Sequence, residues 1–165
     1  EGQKKDSVVK RGHALQLAYH ATTIHTLVPT GAETKFEMSV QGVPLLGFRD
    51  LDEKATVHDY KVCGPSSPYL RQATADVDLQ LGVYALATKK RKVGFIAFVK
   101  DKNVIKRVSS ARTPAQSEAI QEHIVQIARA ISAGAFPMCS ADNFLCSPRF
   151  CGYWSGCPRS KYKKA

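Results

Sequence analysis

The sequence predicts a single α/β domain in which helices flank a central mixed β-sheet. Segments with helical periodicity alternate with strand-like segments along the chain, and turn residues separate them. The chain has 165 residues, of which 44% are apolar, so it is long enough to bury a hydrophobic core. We therefore expect one domain over residues 1–165.

The first half of the chain predicts a helix followed by three strands. Apolar residues recur at helical spacing over residues 8–28, and Pro29 ends the run. Alternation over 35–40, followed after a glycine turn by the apolar segment 43–48, predicts a β-hairpin. Residues 55–62 predict a third strand, and a loop rich in Pro, Ser and Gly ends it.

The middle of the chain predicts the rest of the sheet. Residues 76–88 have one apolar helical face, and residues 93–99 are apolar enough for a strand buried on both faces. Residues 103–109 predict its partner. The sheet and its helix should thus occupy residues 35–109.

The last third of the chain predicts one helix and a loop-rich tail. Thr113 is placed to cap a helix over 114–133, and Gly134 is placed to end it. Residues 135–165 form a basic tail that contains four of the five cysteines.

The net charge of +10 favours a polyanionic partner, of which nucleic acid is the commonest. The same surplus would also serve solubility, so charge alone leaves both readings open. One basic cluster could contact DNA phosphates, namely Lys89, Lys90, Arg91 and Lys92. The tail from Arg159 to Lys164 is a second.

No apolar stretch is long enough to cross a membrane, and the first residues contain no apolar segment typical of a signal peptide. We therefore expect no membrane partner and an intracellular location. An odd number of clustered cysteines is also not typical of a secreted disulfide framework.

Acidic and basic side chains at the ends of two predicted strands suggest a metal site. Asp50 ends one strand, and Asp59 and Lys61 lie in the next, where alternation places both on one face. Paired carboxylates suit Mg²⁺, and a nearby ammonium can orient or deprotonate an attacking water and stabilise a charged transition state. The pattern acid-x-Lys also occurs at 33–35 and 52–54, but only Asp59 and Lys61 lie within an otherwise apolar strand, where unpaired charges are costly.

Three short motifs occur in a characteristic order. Gly47-x-x-Asp50 and Asp59-Tyr60-Lys61 are followed by Gln80-x-x-x-Tyr84, whose two side chains share a helix face. Together they resemble the RecB-like branch of the PD-(D/E)XK nuclease superfamily, over residues 37–84. The resemblance implies a restriction-endonuclease-like α/β core that hydrolyses DNA with Mg²⁺ or Mn²⁺.

The resemblance also implies roles for individual residues. Asp50 and Asp59 would bind the metal together with the carbonyl of Tyr60, Lys61 would be the catalytic lysine, and two further residues would support the site or the DNA, Gln80 and Tyr84. Family members often have a histidine ligand on the first helix, and His20 is our choice for it. The competing interpretation of His20 is an ordinary histidine of an amphipathic helix. Glu37, in the first strand, is an alternative acidic neighbour of the site.

The cysteines of the tail resemble the iron–sulfur closure of some RecB-like nucleases. The four candidates, which could hold iron–sulfur or Zn²⁺, are Cys139, Cys146, Cys151 and Cys157. The spacing between Cys146 and Cys151 is longer than in the cluster form, so reduced structural thiols are the alternative.

The resemblance favours an exonuclease of phage or bacterial DNA recombination or repair, in the cytoplasm of a bacterium or of a phage-infected cell. The partners expected for such a protein, besides DNA, are a second copy of the chain in a homo-oligomer or a recombination protein. Two alternatives stay open: an inactive basic DNA-binding module with the same fold, and a Cys-rich zinc module that binds RNA or protein.

Overall fold

The computed structural model describes residues 2–136, 143 and 145–161. Within them we number the helices and strands in chain order. They are α1 (Gly2–Thr22), β1 (Pro29–Val40), β2 (Val43–Glu53), β3 (Thr56–Cys63), α2 (Gln72–Val77), α3 (Leu79–Thr88), β4 (Lys92–Val99), β5 (Val104–Ala111) and α4 (Pro114–Ser132). Short 3₁₀ turns lie at Ile24–Thr26, Pro68–Leu70, Lys100–Lys102, Trp154–Gly156 and Pro158–Lys161.

The five strands form one sheet in the order β1-β2-β3-β4-β5. The pair β3–β4 is parallel, and the other three pairs are antiparallel. The predicted mixed sheet with flanking helices is therefore confirmed. In the parallel pair, Asp59 lies opposite Phe95 and Lys61 lies opposite Ala97.

The predicted hairpin is also confirmed, and its turn explains the glycine. Val40 pairs with Val43 across a two-residue turn, and both turn residues have positive φ, 49° at Gln41 and 86° at Gly42. Such a turn matches the twist of the two strands, and the left-handed conformation costs Gly42 nothing.

The predicted limits of the first helix and of the first strand were wrong. The first helix ends at Thr22, not at residue 28, and β1 starts at Pro29 instead of residue 35. Thr22, Thr23 and Ile24 are β-branched, and the Thr22 hydroxyl donates to the Ala18 carbonyl at 2.7 Å. Successive β-branched residues and such a bond both weaken a helix end, so the chain passes into a 3₁₀ turn.

The helix predicted over 76–88 is two helices that meet at Asp78. This residue has extended backbone angles, φ −66° and ψ 125°, and its carboxylate Oδ1 accepts from the backbone N–H of Leu81 at 2.9 Å. Asp78 is therefore the N-cap of α3, a position that aspartate favours. The break sets the direction of α3, on which Gln80 and Tyr84 lie.

Helices cover both faces of the sheet. On one face, α2 and α3 pack on a cluster that includes Val57, Phe95 and Leu81, all fully buried. On the other, Tyr19 of α1 packs against Tyr60 and Phe98.

The ends of α4 lie where the sequence predicts them. Thr113 and Gln116 form a reciprocal capping box before the helix, and Gly134, at φ 67°, follows it.

The chain divides into two compact units, up to Val125 and from Gln126 onward. The first contains the whole sheet, and the described part of the second contains the end of α4 and the cysteine-rich loops. In the part of the chain that the structure describes, no helix has the length and apolarity needed to cross a membrane.

Candidate active site

The carboxylate of Asp50 lies where the pairing between β2 and β3 stops. These strands pair at Leu51–His58 and Asp52–Val57, and beyond that point Asp50 Oδ2 accepts the backbone N–H of Tyr60 at 2.8 Å. A side-chain oxygen thus takes the place of a main-chain partner. As a result, Asp50 lies beside the Asp59–Tyr60 peptide.

Asp59 is a buried carboxylate in an unfavourable environment. The residue is 1% exposed, and burial raises its pKa; the charges of Asp50 and Asp78 raise it further, while Lys61 opposes the rise. Its Oδ2 lies 2.8 Å from Lys61 Nζ, but the two are not aligned as a hydrogen bond, and this atom has no aligned donor. The side chain would therefore gain from a positive charge placed next to it.

Lys61 is held as a cation. Burial lowers its pKa, but the adjacent carboxylate of Asp59 outweighs burial and leaves the pKa raised. Nζ lies 5.2 Å from the ring centroid of Tyr69 and 5.9 Å from that of Phe95, within the range of cation–π attraction. The ammonium group is thus available to stabilise negative charge.

A chain of hydrogen bonds joins the three sequence motifs. Lys61 Nζ donates to Gln80 Oε1 at 2.9 Å, and Gln80 Nε2 donates to the Tyr84 hydroxyl at 2.9 Å. That hydroxyl donates to the Phe48 carbonyl at 2.8 Å, two residues before Asp50. The helix α3 therefore fixes the lysine and the β2 backbone at once.

The donors present fit a divalent cation. Asp50 and Asp59 supply neighbouring carboxylates, and the Tyr60 carbonyl belongs to the same short segment. Asp59 Oδ2 has the ion pair with Lys61 but no aligned hydrogen-bond donor. Over the described residues, however, no group of three His, Cys, Asp or Glu side chains is arranged to hold a metal. Water or phosphate oxygens would have to complete the shell, as Mg²⁺ sites usually require.

His20 is not brought to these carboxylates. Tyr60 points to the face of the sheet opposite Asp59 and Lys61, and its hydroxyl lies 2.8 Å from that of Tyr19 on α1. His20 follows Tyr19, is exposed, and places its ring centroid 6.2 Å from the Tyr19 ring. The first helix thus packs behind the site, and a histidine ligand from it finds no support in this geometry.

Two acidic residues of β1 differ in their relation to the site. Glu37 is exposed and forms an ion pair with Lys35. Glu33, in one of the rival acid-x-Lys matches, has φ 49°, and its charge is felt at Tyr84, whose pKa is raised by burial and then by Asp50, Asp59 and Glu33. Glu33 is therefore a neighbour of the site.

The cluster predicted to bind DNA is partly engaged within the protein. Lys90 Nζ donates to the Glu53 carbonyl at 2.7 Å, and Arg91 Nε donates to the Arg112 carbonyl at 2.9 Å. Lys89 has left-handed backbone angles at the end of α3, and Lys92 begins β4 with an exposed side chain. Contact of the cluster with DNA stays a prediction, in which Lys89 and Lys92 are the freer pair.

Three of the four candidate metal-binding cysteines of the tail lie among the described residues. Cys139 lies outside the described residues. Of the described cysteines, Cys146 is buried while Cys151 and Cys157 are half-buried, and none of these is in a disulfide. They also form no group of three ligands within the described residues. The predicted cluster remains a prediction.

Sequence reasoning missed Tyr69 and Asp78. Tyr69 follows a Pro/Ser loop, where nothing in the sequence indicates that its ring reaches Lys61. Asp78 could have been found from the sequence, because an aspartate just before an apolar helical segment is a common N-cap residue.

Comparison with known proteins agrees with this fold. A solved structure described as an exonuclease candidate from Eubacterium rectale has TM-score 0.55 and 10% identity, covering 93% of this chain. The solved structure of SSO0001 has TM-score 0.51 and 16% identity, covering 78% of this chain. The similarity spans 59% of each of those chains, and at such identities it concerns the fold.

No curated protein matches the chain. A sequence model of the PD-(D/E)XK nuclease superfamily matches residues 3–158, nearly the whole length, and that span includes each of the three motifs joined above. This chain belongs to the PD-(D/E)XK nuclease superfamily.

Proposed function

We propose that this protein is a divalent-metal-dependent deoxyribonuclease, with exonuclease action in phage or bacterial DNA recombination or repair. The observation that carries the proposal is the convergence of three separated motifs on one point: Asp50 beside Asp59, and Lys61 bonded to Gln80. Membership of a nuclease superfamily and the description of the Eubacterium rectale protein support nuclease and exonuclease action, respectively.

In this proposal Asp50 and Asp59, with the Tyr60 carbonyl, hold Mg²⁺ or Mn²⁺. A cation bound there would neutralise charge on the scissile phosphate and make a water more acidic. Asp59 would gain from it, because burial and the charge of Asp50 both raise the cost of its negative charge.

Lys61 has a separate role. The carboxylate of Asp59 keeps the pKa of Lys61 raised, so the ammonium group stays protonated. It therefore acts as a cation that orients the attacking water and stabilises charge on the phosphate, rather than as a base. Gln80 and Tyr84 hold this ammonium at a fixed position through their two hydrogen bonds. Such fixed positioning is what makes electrostatic stabilisation effective in a site.

Cleavage assays on linear and circular DNA of the same sequence, with Mg²⁺, Mn²⁺ or EDTA, test the proposal. We expect linear DNA to be degraded only with metal, and circular DNA to resist. Cleavage of the circle would replace exonuclease by endonuclease action. Metal-dependent DNA binding without any cleavage would favour the inactive DNA-binding alternative.

Two variants separate the proposed roles. Asp59→Ala should lose both metal binding, measured by calorimetric titration, and cleavage. Lys61→Ala should still bind metal and DNA, while its single-turnover rate falls by ~10²–10³-fold, the usual cost of removing one group that stabilises transition-state charge. Lys35→Ala and Lys54→Ala are the matched controls, because both lysines belong to the rival acid-x-Lys matches and are exposed. Glu33→Ala is unsuitable as a control, since its charge reaches Tyr84. If Lys61→Ala cleaves normally while a control variant is inactive, the site has been assigned to the wrong strand.

A further inference from the structure

Arg112 is the largest fully buried side chain of the described residues, although it is charged. The residue is 1% exposed and follows the last strand of the sheet. Burying a guanidinium group is costly unless its N–H groups have hydrogen-bond acceptors. The acceptors of this side chain therefore identify the part of the fold that it stabilises.

Those partners are main-chain carbonyls at the junction of α2 and α3. One terminal nitrogen (Nη2) donates to the Asp78 carbonyl at 2.8 Å, and the other (Nη1) donates to the Asp76 carbonyl at 3.1 Å and to the Ser110 hydroxyl at 3.0 Å. The fork of the guanidinium thus spans the two carbonyls on either side of Val77. A single ammonium could not match both with such geometry.

The backbone of Arg112 is itself anchored. Its N–H donates to the Arg91 carbonyl at 2.8 Å, and Arg91 Nε donates to the Arg112 carbonyl at 2.9 Å. The Ser110 hydroxyl that accepts from Arg112 also donates to Asp76 Oδ1 at 2.8 Å. The fork therefore starts from a fixed point at the end of β5.

The α2–α3 junction that Arg112 binds, residues 76–78, lies directly before the helix that contains Gln80. The Asp78 carbonyl accepts from Arg112 while its carboxylate caps α3 at Leu81, and Gln80 lies between these two residues. Gln80 in turn accepts from Lys61 at 2.9 Å. Arg112 also lies close under the first turn of α3, because a Cβ added at Gly82 would be 3.7 Å from Arg112 Nε.

We infer that Arg112 is a positioning residue for the reaction: by clamping the α2–α3 junction it holds Gln80 at the distance at which it orients Lys61. This inference rests on the proposed function. It assigns the buried arginine a role in the rate, which acts through Gln80 and is separate from its contribution to stability.

A double-mutant cycle tests this. Arg112→Met, Gln80→Ala and the combined variant are compared by single-turnover cleavage at saturating DNA and by the Kd for DNA. Small displacements of a positioned group can cost ~10²-fold in rate, so we expect losses of about 10- to 100-fold for Arg112→Met with Kd nearly unchanged. Because both residues act on the same contact, the double variant should be no slower than the slower single variant.

The control for general destabilisation is Leu27→Ala, which removes a buried side chain on the opposite face of the sheet. Its effect should multiply with that of Gln80→Ala if it affects the rate at all. Should Arg112→Met not fold, Arg112→Lys and Ser110→Ala keep the buried cation and weaken the fork, and the same cycle is run with them.

Rate losses that multiply with Gln80→Ala, or a folded Arg112 variant that cleaves like the wild type, would overturn the inference and leave the proposed function standing. Absence of cleavage by the wild type, or normal cleavage by Asp59→Ala, would instead overturn the proposed function and this inference with it. Hydrogen exchange gives a readout independent of activity: the Leu81 and Gly82 amides should exchange faster in the Arg112 variant than in Leu27→Ala. Equal protection in the two variants would also count against the clamp.

Discussion

Asp52 and Asp59 are both buried carboxylates on neighbouring strands, yet their surroundings differ in kind. Asp52 is 5% exposed and receives hydrogen bonds from Arg49 at 2.8–3.1 Å, with Lys90 Nζ 3.6 Å away. Burial would raise its pKa, but Arg49 outweighs burial and the pKa is lowered. Asp59 is 1% exposed, its pKa is raised, and one oxygen has no aligned donor.

The difference separates a carboxylate whose charge the fold compensates from one whose charge the fold leaves poorly compensated, as the proposed metal site would require. The Arg49 guanidinium satisfies Asp52 in a bidentate arrangement, so the charge of this carboxylate is compensated within the fold. Asp59 faces Lys61 with poor alignment and has two other carboxylates nearby. Groups with perturbed pKa values cluster at functional sites. The contrast between the pairs Arg49–Asp52 and Lys61–Asp59 leads to measurable differences in stability and metal binding.

The largest expected effect on stability comes from breaking the satisfied pair. Arg49→Met leaves the Asp52 carboxylate buried with only Thr34 and the more distant Lys90 as partners, and loss of one partner of a buried ion pair costs about 3–5 kcal/mol. Urea denaturation measures it. Replacing both residues, by Arg49→Met with Asp52→Leu, should recover much of this loss, because the orphaned charge is gone. A loss below ~1 kcal/mol for Arg49→Met alone would show that this pair contributes little.

The next effect concerns metal and the unsatisfied carboxylate. A ligand that binds only the folded state stabilises it, by about 2.7 kcal/mol at a concentration 100 times its Kd. Mg²⁺ or Mn²⁺ should therefore raise the Tm of the wild type and leave that of Asp59→Asn unchanged, measured by calorimetry with and without EDTA. Arg49→Met, which leaves both proposed ligands in place, is the comparison variant. An equal rise in Tm for Asp59→Asn would place the metal elsewhere.

A smaller effect is expected at Asp59 when metal is absent. The raised pKa means that the fold disfavours the ionised carboxylate, so Asp59→Asn should leave the free energy of unfolding unchanged or raise it by up to about 1 kcal/mol. Lys61 loses a partner but keeps Gln80. Denaturation in EDTA measures the change. A loss of several kcal/mol would instead make Asp59 a structural residue like Asp52.

The sequence predicted the parts of this site that depend on spacing along one strand or one helix. Alternation placed Asp59 and Lys61 on one face, and a four-residue spacing placed Gln80 beside Tyr84. The hairpin followed from its glycine turn. Each of these depends on local geometry, which a sequence pattern contains.

The rest depends on contacts between distant residues. The helix break at Asp78 is held from Arg112, 34 positions along the chain, and the placement of α1 follows from packing of Tyr19 on Tyr60. Periodicity predicted neither, and it therefore indicated one continuous helix over 76–88. The choice of His20 as a metal ligand came from the resemblance to the nuclease family, and it stays a prediction that this packing of α1 does not support. Arg91 was read as a DNA contact, although its side chain also bonds to the Arg112 carbonyl.

The smallest effect is expected at a third ion pair, between Lys35 and Glu37 on the edge strand. Their side chains are 55% and 68% exposed, and exposed pairs contribute about 0–1 kcal/mol because water and salt screen them. Lys35→Ala should therefore change the free energy of unfolding by less than ~0.5 kcal/mol, and the difference should vanish in high salt. Lys35 is also the lysine of a rival acid-x-Lys match. The Lys35→Ala variant should therefore cleave DNA at the wild-type rate, while the Lys61→Ala variant should be slow. The two lysines share a sequence pattern and differ in burial and hydrogen-bond partners. A slow Lys35→Ala variant with unchanged stability would mean that this edge strand, and not the buried face of β3, carries part of the chemistry.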